Sequence, residues 1–201
     1  MKLKHNEAYR ILAQEKELAL GVENNSMENN VSIKLQNLSD TNKENQIWSV
    51  FYVDDNWFKL INRHSGKAMD LKLCGIENGT WIHQWDVLDS VDSQLWSAEM
   101  MEDGLYRLKS KQAMTFLDIA GGTVVTNAQI QIWEETGNTN QLWRFEPIEQ
   151  ETAIAEKVTV KKETSKITKP KTKKVTVPKT KKTTTSPKKE TRQINKKSNL
   201  K

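Results

Sequence analysis

The sequence predicts an all-β domain written as three copies of one unit, followed by a basic tail. Three observations predict it. Gln-x-Trp recurs as Gln46-Ile47-Trp48, Gln94-Leu95-Trp96 and Gln141-Leu142-Trp143, at steps of 48 and 47 residues. A period of this size marks a fold with internal repetition. An aromatic–basic–aliphatic triplet opens each copy in the same phase: Tyr9-Arg10-Ile11, Phe58-Lys59-Leu60 and Tyr106-Arg107-Leu108. Composition then divides the chain. Residues 1–150 carry 14 Lys+Arg against 22 Asp+Glu, a net of −8, whereas 151–201 carry 17 against 4, a net of +13. All seven Trp, four Phe and three Tyr precede Pro147, so only the first part can build an aromatic core. A part of that size buries about 70% of the surface its unfolded chain exposes.

Short apolar or alternating runs bounded by Asn, Asp, Gly and Ser read as strands and turns. The first copy gives 9–13, 18–22, 31–35 and 46–51. The second gives 57–61, 67–71, 81–85 and 95–99, and the third gives 105–109, 114–119, 129–133 and 141–145. Four strands in each of three copies make twelve. The stretch 13–20 alone has a helix-like pattern, and we read it as a hairpin because the same place in the other copies is one.

Three in-phase units of four strands, each ending in Gln-x-Trp, resemble the ricin-B-type lectin domain, a β-trefoil. The resemblance covers residues 5–148. It implies that Trp48, Trp96 and Trp143 pack in the shared core and that Gln46, Gln94 and Gln141 tie down local backbone. It also implies where a sugar would sit in a copy: an Asp at the second strand, a Gln and an aromatic at the end of the third, and an Asn before Gln-x-Trp. The third copy matches throughout with Asp118, Gln131, Trp133 and Asn140, and Gly121 and Gly122 supply a permissive turn. The second copy matches in part. Asp70 and Trp85 are in register, but His83 stands at the Gln position and Ser93 at the Asn position. Both replacements still hydrogen-bond hydroxyls. The first copy departs, with Gly21 at the Asp position and Gln36 at the aromatic position, and no sugar is expected there. Such a site needs an aromatic surface for the C–H face of a sugar and polar groups for its hydroxyls. A carboxylate receiving those hydroxyls makes strong, charge-assisted bonds.

Catalysis has little support in the residues. His5, His64 and His83 are dispersed without metal-ligand spacing, and no glycine loop suggests a phosphate-binding cofactor. Asp70 and Asp118 belong to different lobes, so they are not expected to face each other across a glycosidic bond. Cys74 is the single cysteine, which excludes an internal disulfide. With no signal-peptide core in view, this favours a cytoplasmic location. The tail, 151–201, is expected to be disordered, being rich in Lys, Thr and Pro. Lys169-Pro170-Lys171-Thr172-Lys173-Lys174 is echoed by Val177-Pro178-Lys179-Thr180-Lys181-Lys182. Its charge suits polyanions such as nucleic acid, anionic cell-wall polymers or a membrane surface, and its lack of aromatics argues against base stacking. Two functions follow as expectations: a non-enzymatic lectin with its best site in the third copy, or a trefoil scaffold with vestigial pockets whose tail binds a polyanion.

Overall fold

The structure, a computed structural model, describes residues 2–38 and 44–148; the tail expected to be disordered lies outside the described residues. Its strands are β1 (Ala8–Ala13), β2 (Leu18–Val22), β3 (Val31–Asn37) and β4 (Ile47–Tyr52) in the first copy. The second copy contributes β5 (Phe58–Asn62), β6 (Ala68–Leu71), β7 (Ile82–Trp85) and β8 (Trp96–Met100). The third contributes β9 (Tyr106–Ser110), β10 (Phe116–Ile119), β11 (Ile130–Trp133) and β12 (Trp143–Pro147). Strands β1, β4, β5, β8, β9 and β12 pair in that cyclic order, all antiparallel, and β12 returns to β1. The result is a closed barrel with no free edge in its wall. Hairpins β2–β3, β6–β7 and β10–β11 cover one end. They meet through β3–β7 pairing and through the single bridges Lys34↔Gln129 and Trp81↔Gln131. This is a β-trefoil, as the resemblance to the ricin-B-type lectin domain implies.

The two sequence markers turn out to be one structural unit. Trp48 pairs across strands with Tyr9, Trp96 with Phe58, and Trp143 with Tyr106. Side chains directly opposite each other share a face, so each copy sends a tryptophan and the aromatic opposite it into the core. The three tryptophans are fully buried. Each buried indole N–H must find an acceptor. Trp48, Trp96 and Trp143 donate to the backbone oxygens of Leu20, Met69 and Leu117 at 3.0, 3.2 and 3.2 Å. Each thereby ties the barrel to the second strand of its own copy.

The sequence reading starts the fourth strand at Gln46 in the first copy, Leu95 in the second and Gln141 in the third, and the structure starts it later in each. The glutamines of Gln-x-Trp lie in single 3-10 turns, Glu44–Gln46, Asp92–Gln94 and Thr139–Gln141, and the strands begin after them. A strand would force Gln and Trp, two residues apart, onto one face. The turn frees the Gln side chain to reach the loop and hairpin above the barrel instead. Met114 also falls outside its expected strand, because its φ is 60°. Among the described residues no helix is long and apolar enough to cross a membrane.

Trp96→Ala is expected to cost about 3–5 kcal/mol, through loss of a core aromatic and an orphaned Met69 carbonyl. Urea unfolding followed by circular dichroism measures it, and an unchanged midpoint would rule out the packing described.

Candidate functional site

The bond from Trp143 to the Leu117 oxygen sets the next residue, Asp118. Leu117 points into the core, so Asp118 points away from it, opposite Gln131 on β11, with Trp133 two residues further along the same face. Asp118 Oδ1 accepts a hydrogen bond from Gln131 Nε2 at 2.9 Å. Its Oδ2 accepts from Asn140 Nδ2 at 2.6 Å and from Gln141 Nε2 at 3.1 Å. Gln141 also donates to the Glu134 oxygen at 2.8 Å and accepts from the Thr136 amide at 3.1 Å. The motif glutamine therefore fixes both the carboxylate and the loop over it. A cavity of about 380 Å³ opens between Asp118, Gly121, Gly122, Gln131, Trp133, Thr136, Asn138 and Asn140. Gly121 and Gly122 have φ of 71° and 69°, the left-handed region where a glycine is unstrained. Burial pushes the Asp118 carboxyl above its ordinary range, and the Gln131, Gln141 and Asn140 amides pull it partly back. The carboxylate thus already holds three amide hydrogens. An ionised carboxylate offers about four lone-pair positions, so the remaining one, on Oδ1, is what it can offer a ligand.

The second copy repeats this frame with fewer partners. Asp70 pairs opposite His83, and Trp85 follows, its ring stacked on the imidazole at 5.5 Å between centroids. Asp70 Oδ2 accepts from Gln94 Nε2 at 2.9 Å, while Oδ1 is buried and has no hydrogen-bond partner. His83 Nδ1 lies 3.1 Å from Asn30 Oδ1, within hydrogen-bond reach. Burial pushes the His83 imidazole below its usual value; Asp70 pulls it up and Lys72 adds to the lowering. Ser93 is buried at the Asn140 position. The cavity here, about 370 Å³, has an apolar lip of Leu73, Cys74, Leu88 and Val91. Leu73 and Cys74 occupy the left-handed region that the third copy fills with glycines, and Cys74 is an exposed free thiol.

In the first copy the pocket is filled from within. A Cβ on Gly21 would come within 2.5 Å of Gln36 Oε1. That oxygen accepts from Asn45 Nδ2 at 3.1 Å and from Gln46 Nε2 at 3.3 Å. An amide oxygen from β3 thus replaces the carboxylate oxygen that Asp70 and Asp118 bring from the second strand. The sequence reading puts Gly21 at the Asp position and Gln36 at the aromatic position but misses this substitution. It also missed Asn45, whose signal was present: Asn45 precedes Gln46 as Asn140 precedes Gln141. Among the described residues no group of three or more His, Cys, Asp or Glu side chains is placed to hold a metal.

The chain matches the ricin-type β-trefoil lectin domain-like family over residues 2–85 and 92–183, and it belongs to that family. No curated protein matches it by sequence. Among solved structures it is similar to a designed three-fold symmetric protein, ThreeFoil, at 28% identity and a TM-score of 0.65, covering 69% of this chain and 96% of that one. It is also similar to an exo-β-1,3-galactanase from Clostridium thermocellum at 25% identity and a TM-score of 0.66, covering 71% of this chain but 30% of the enzyme. A ricin B-like lectin of Macrolepiota procera, solved in complex with lactose, shares the fold at 16% identity and a TM-score of 0.61, covering 73% of this chain and 99% of the lectin.

Gly21→Ala is expected to destabilise the domain by about 1–3 kcal/mol, by overpacking against Gln36. In a double-mutant cycle with Gln36→Ala the two effects should couple rather than add. Additive unfolding energies would show that Gln36 does not fill the pocket.

Proposed function

We propose that this trefoil is a non-enzymatic carbohydrate-binding module whose principal site is the third-copy cavity. Membership of a lectin-domain family supports sugar binding in general. The observation that carries the specific site is the convergence of Asp118, Gln131, Asn140 and the half-buried Trp133 on one cavity. Trp133 offers a flat surface for the C–H face of a pyranose. Asp118 Oδ1 accepts one hydroxyl, and the Gln131 and Asn140 amides complete the polar edge. The second cavity is an accessory site, in which Asp70, His83 and Trp85 take the corresponding parts. The 151–201 tail, with a net charge of +13, attracts polyanions independently of the sugar site.

At roughly 0.3 kcal/mol per heavy atom, a monosaccharide of about a dozen atoms binds near the millimolar range. Titration calorimetry with neutral sugars should show binding that Asp118→Ala or Trp133→Ala removes and Asp70→Ala reduces less. Unchanged affinity in Asp118→Ala would overturn the assignment.

The site also has a defined pH response. Hydroxyls donate to the ionised Asp118, so affinity falls as protons bind it. Its carboxyl is raised above the ordinary 3.8, so the loss begins at a higher pH than an unperturbed aspartate would give. Stability has the opposite sign. The folded state holds this proton more readily than the unfolded chain, so this group's contribution to stability increases as pH falls through the same window. Affinity that stays flat until the ordinary aspartate range is reached would contradict this.

For the tail, log affinity for a DNA duplex should fall linearly with log salt, and truncation after Gln150 should abolish that binding while sparing neutral-sugar affinity. Equal DNA binding by the truncated chain would remove the tail from the proposal.

A further inference from the structure

The three hairpins meet so that each copy's third strand touches the next. Ser32 pairs opposite His83, Trp81 opposite Gln131, and Gln129 opposite Lys34. The position occupied by Ser32, Trp81 and Gln129 therefore borders the site of the neighbouring copy, on the same face as its Gln-position residue. Only one of these three residues is aromatic, and it stands beside the copy whose Asp, Gln, Trp and Asn are all present. Trp81 is 45% exposed, whereas the three Gln-x-Trp tryptophans are fully buried. Two residues earlier the same alignment places Asn30, Gly79 and Asn127, all at positive φ. Asn30 fills its place with an amide bonded to His83. Gly79 has no side chain, and a Cβ there would sit 3.7 Å from Trp133 Cζ3 and 3.9 Å from Gln131 Oε1. Glycine thus leaves the edge of Trp133 and Gln131 free of the side chain that Asn30 supplies in the second copy.

The segment that carries Trp81 is held rigidly. The Gly79 amide donates to the Ile132 oxygen, and the Ile132 amide donates to the Thr80 oxygen, both at 2.9 Å. The Glu134 amide donates to Asn78 Oδ1 at 2.8 Å, and the Lys72 amide donates to the Trp81 oxygen at 2.9 Å. A preorganised platform of this kind loses little freedom when a ligand settles on it.

We propose that Trp81 forms a second subsite across the copy boundary, so that the third-copy site takes a neutral oligosaccharide of at least two units. One unit lies against Asp118 and Trp133, and the next stacks on the exposed face of Trp81. The inference rests on the third cavity being a sugar site, as proposed above.

The test is calorimetry on the full chain with two matched probe pairs, galactose against lactose and N-acetylglucosamine against N,N′-diacetylchitobiose. At least one disaccharide should bind about tenfold or more tightly than its monosaccharide. Trp81→Ala should bring that ratio to about one while leaving the monosaccharide within about twofold, and Trp81→Phe should keep most of the ratio. A wild-type ratio near one for both pairs overturns the subsite and leaves the Asp118 site standing. So does a ratio that survives Trp81→Ala, or an equal weakening of both sugars, which assigns Trp81 to folding instead. Absence of binding by all four sugars overturns both proposals together.

Discussion

Three hydrogen bonds, from the indole N–H of Trp48, Trp96 and Trp143 to the backbone of Leu20, Met69 and Leu117, hold the barrel and its hairpin cover in one register. Each is made in the dry interior, where an unpaired indole or carbonyl would be costly. The residue after each acceptor is Gly21, Asp70 or Asp118. The candidate site position is therefore set by a buried contact in each copy, one residue from the core. Core and site are joined again through the motif glutamine: its Nε2 donates to Asp70 or Asp118 and to a loop carbonyl, and its Oε1 accepts from a loop amide.

This scaffolding leaves each copy free to differ in what it presents. The third keeps a carboxylate with three amide donors. The second keeps one donor and an unpaired oxygen beside an imidazole. The first has dispensed with the carboxylate and meets the same Asn and Gln donors with Gln36 Oε1. The motif glutamine is buried in every copy, so its amide must have an acceptor whether or not a ligand is bound. That requirement explains why the frame persists in a copy whose pocket is filled.

The fold was legible because its determinants repeat. Tyr9, Phe58 and Tyr106 keep phase with the Gln-x-Trp tryptophans because they are their cross-strand partners, so two patterns in the sequence report one contact. The grouping of Asp118, Gln131, Trp133 and Asn140 follows from the resemblance to the ricin-B-type pattern, whose residues all lie within a single copy. What escaped notice depends on geometry that no single copy contains. That Gln36 folds back over Gly21 follows from side-chain direction, and that Trp81 stands beside Gln131 follows from how hairpins of different copies meet. The 3-10 turns that precede the last strand of each copy are polar throughout, and nothing in their composition marks them off from an ordinary loop.

The closure of the barrel also constrains how the molecule comes into being. Strand β1, the first in the chain, completes its pairing only with β12, where Tyr9 faces Pro147 and Ala13 faces Trp143. Nearly the whole domain must therefore be synthesised before its earliest strand acquires its final neighbour. Contacts of such long sequence separation incur their loop-closure entropy before they return any stabilisation, which makes for slow folding. Until then β1 presents an unpaired edge, so nascent chains depend on timely arrival of the third copy to avoid pairing with one another.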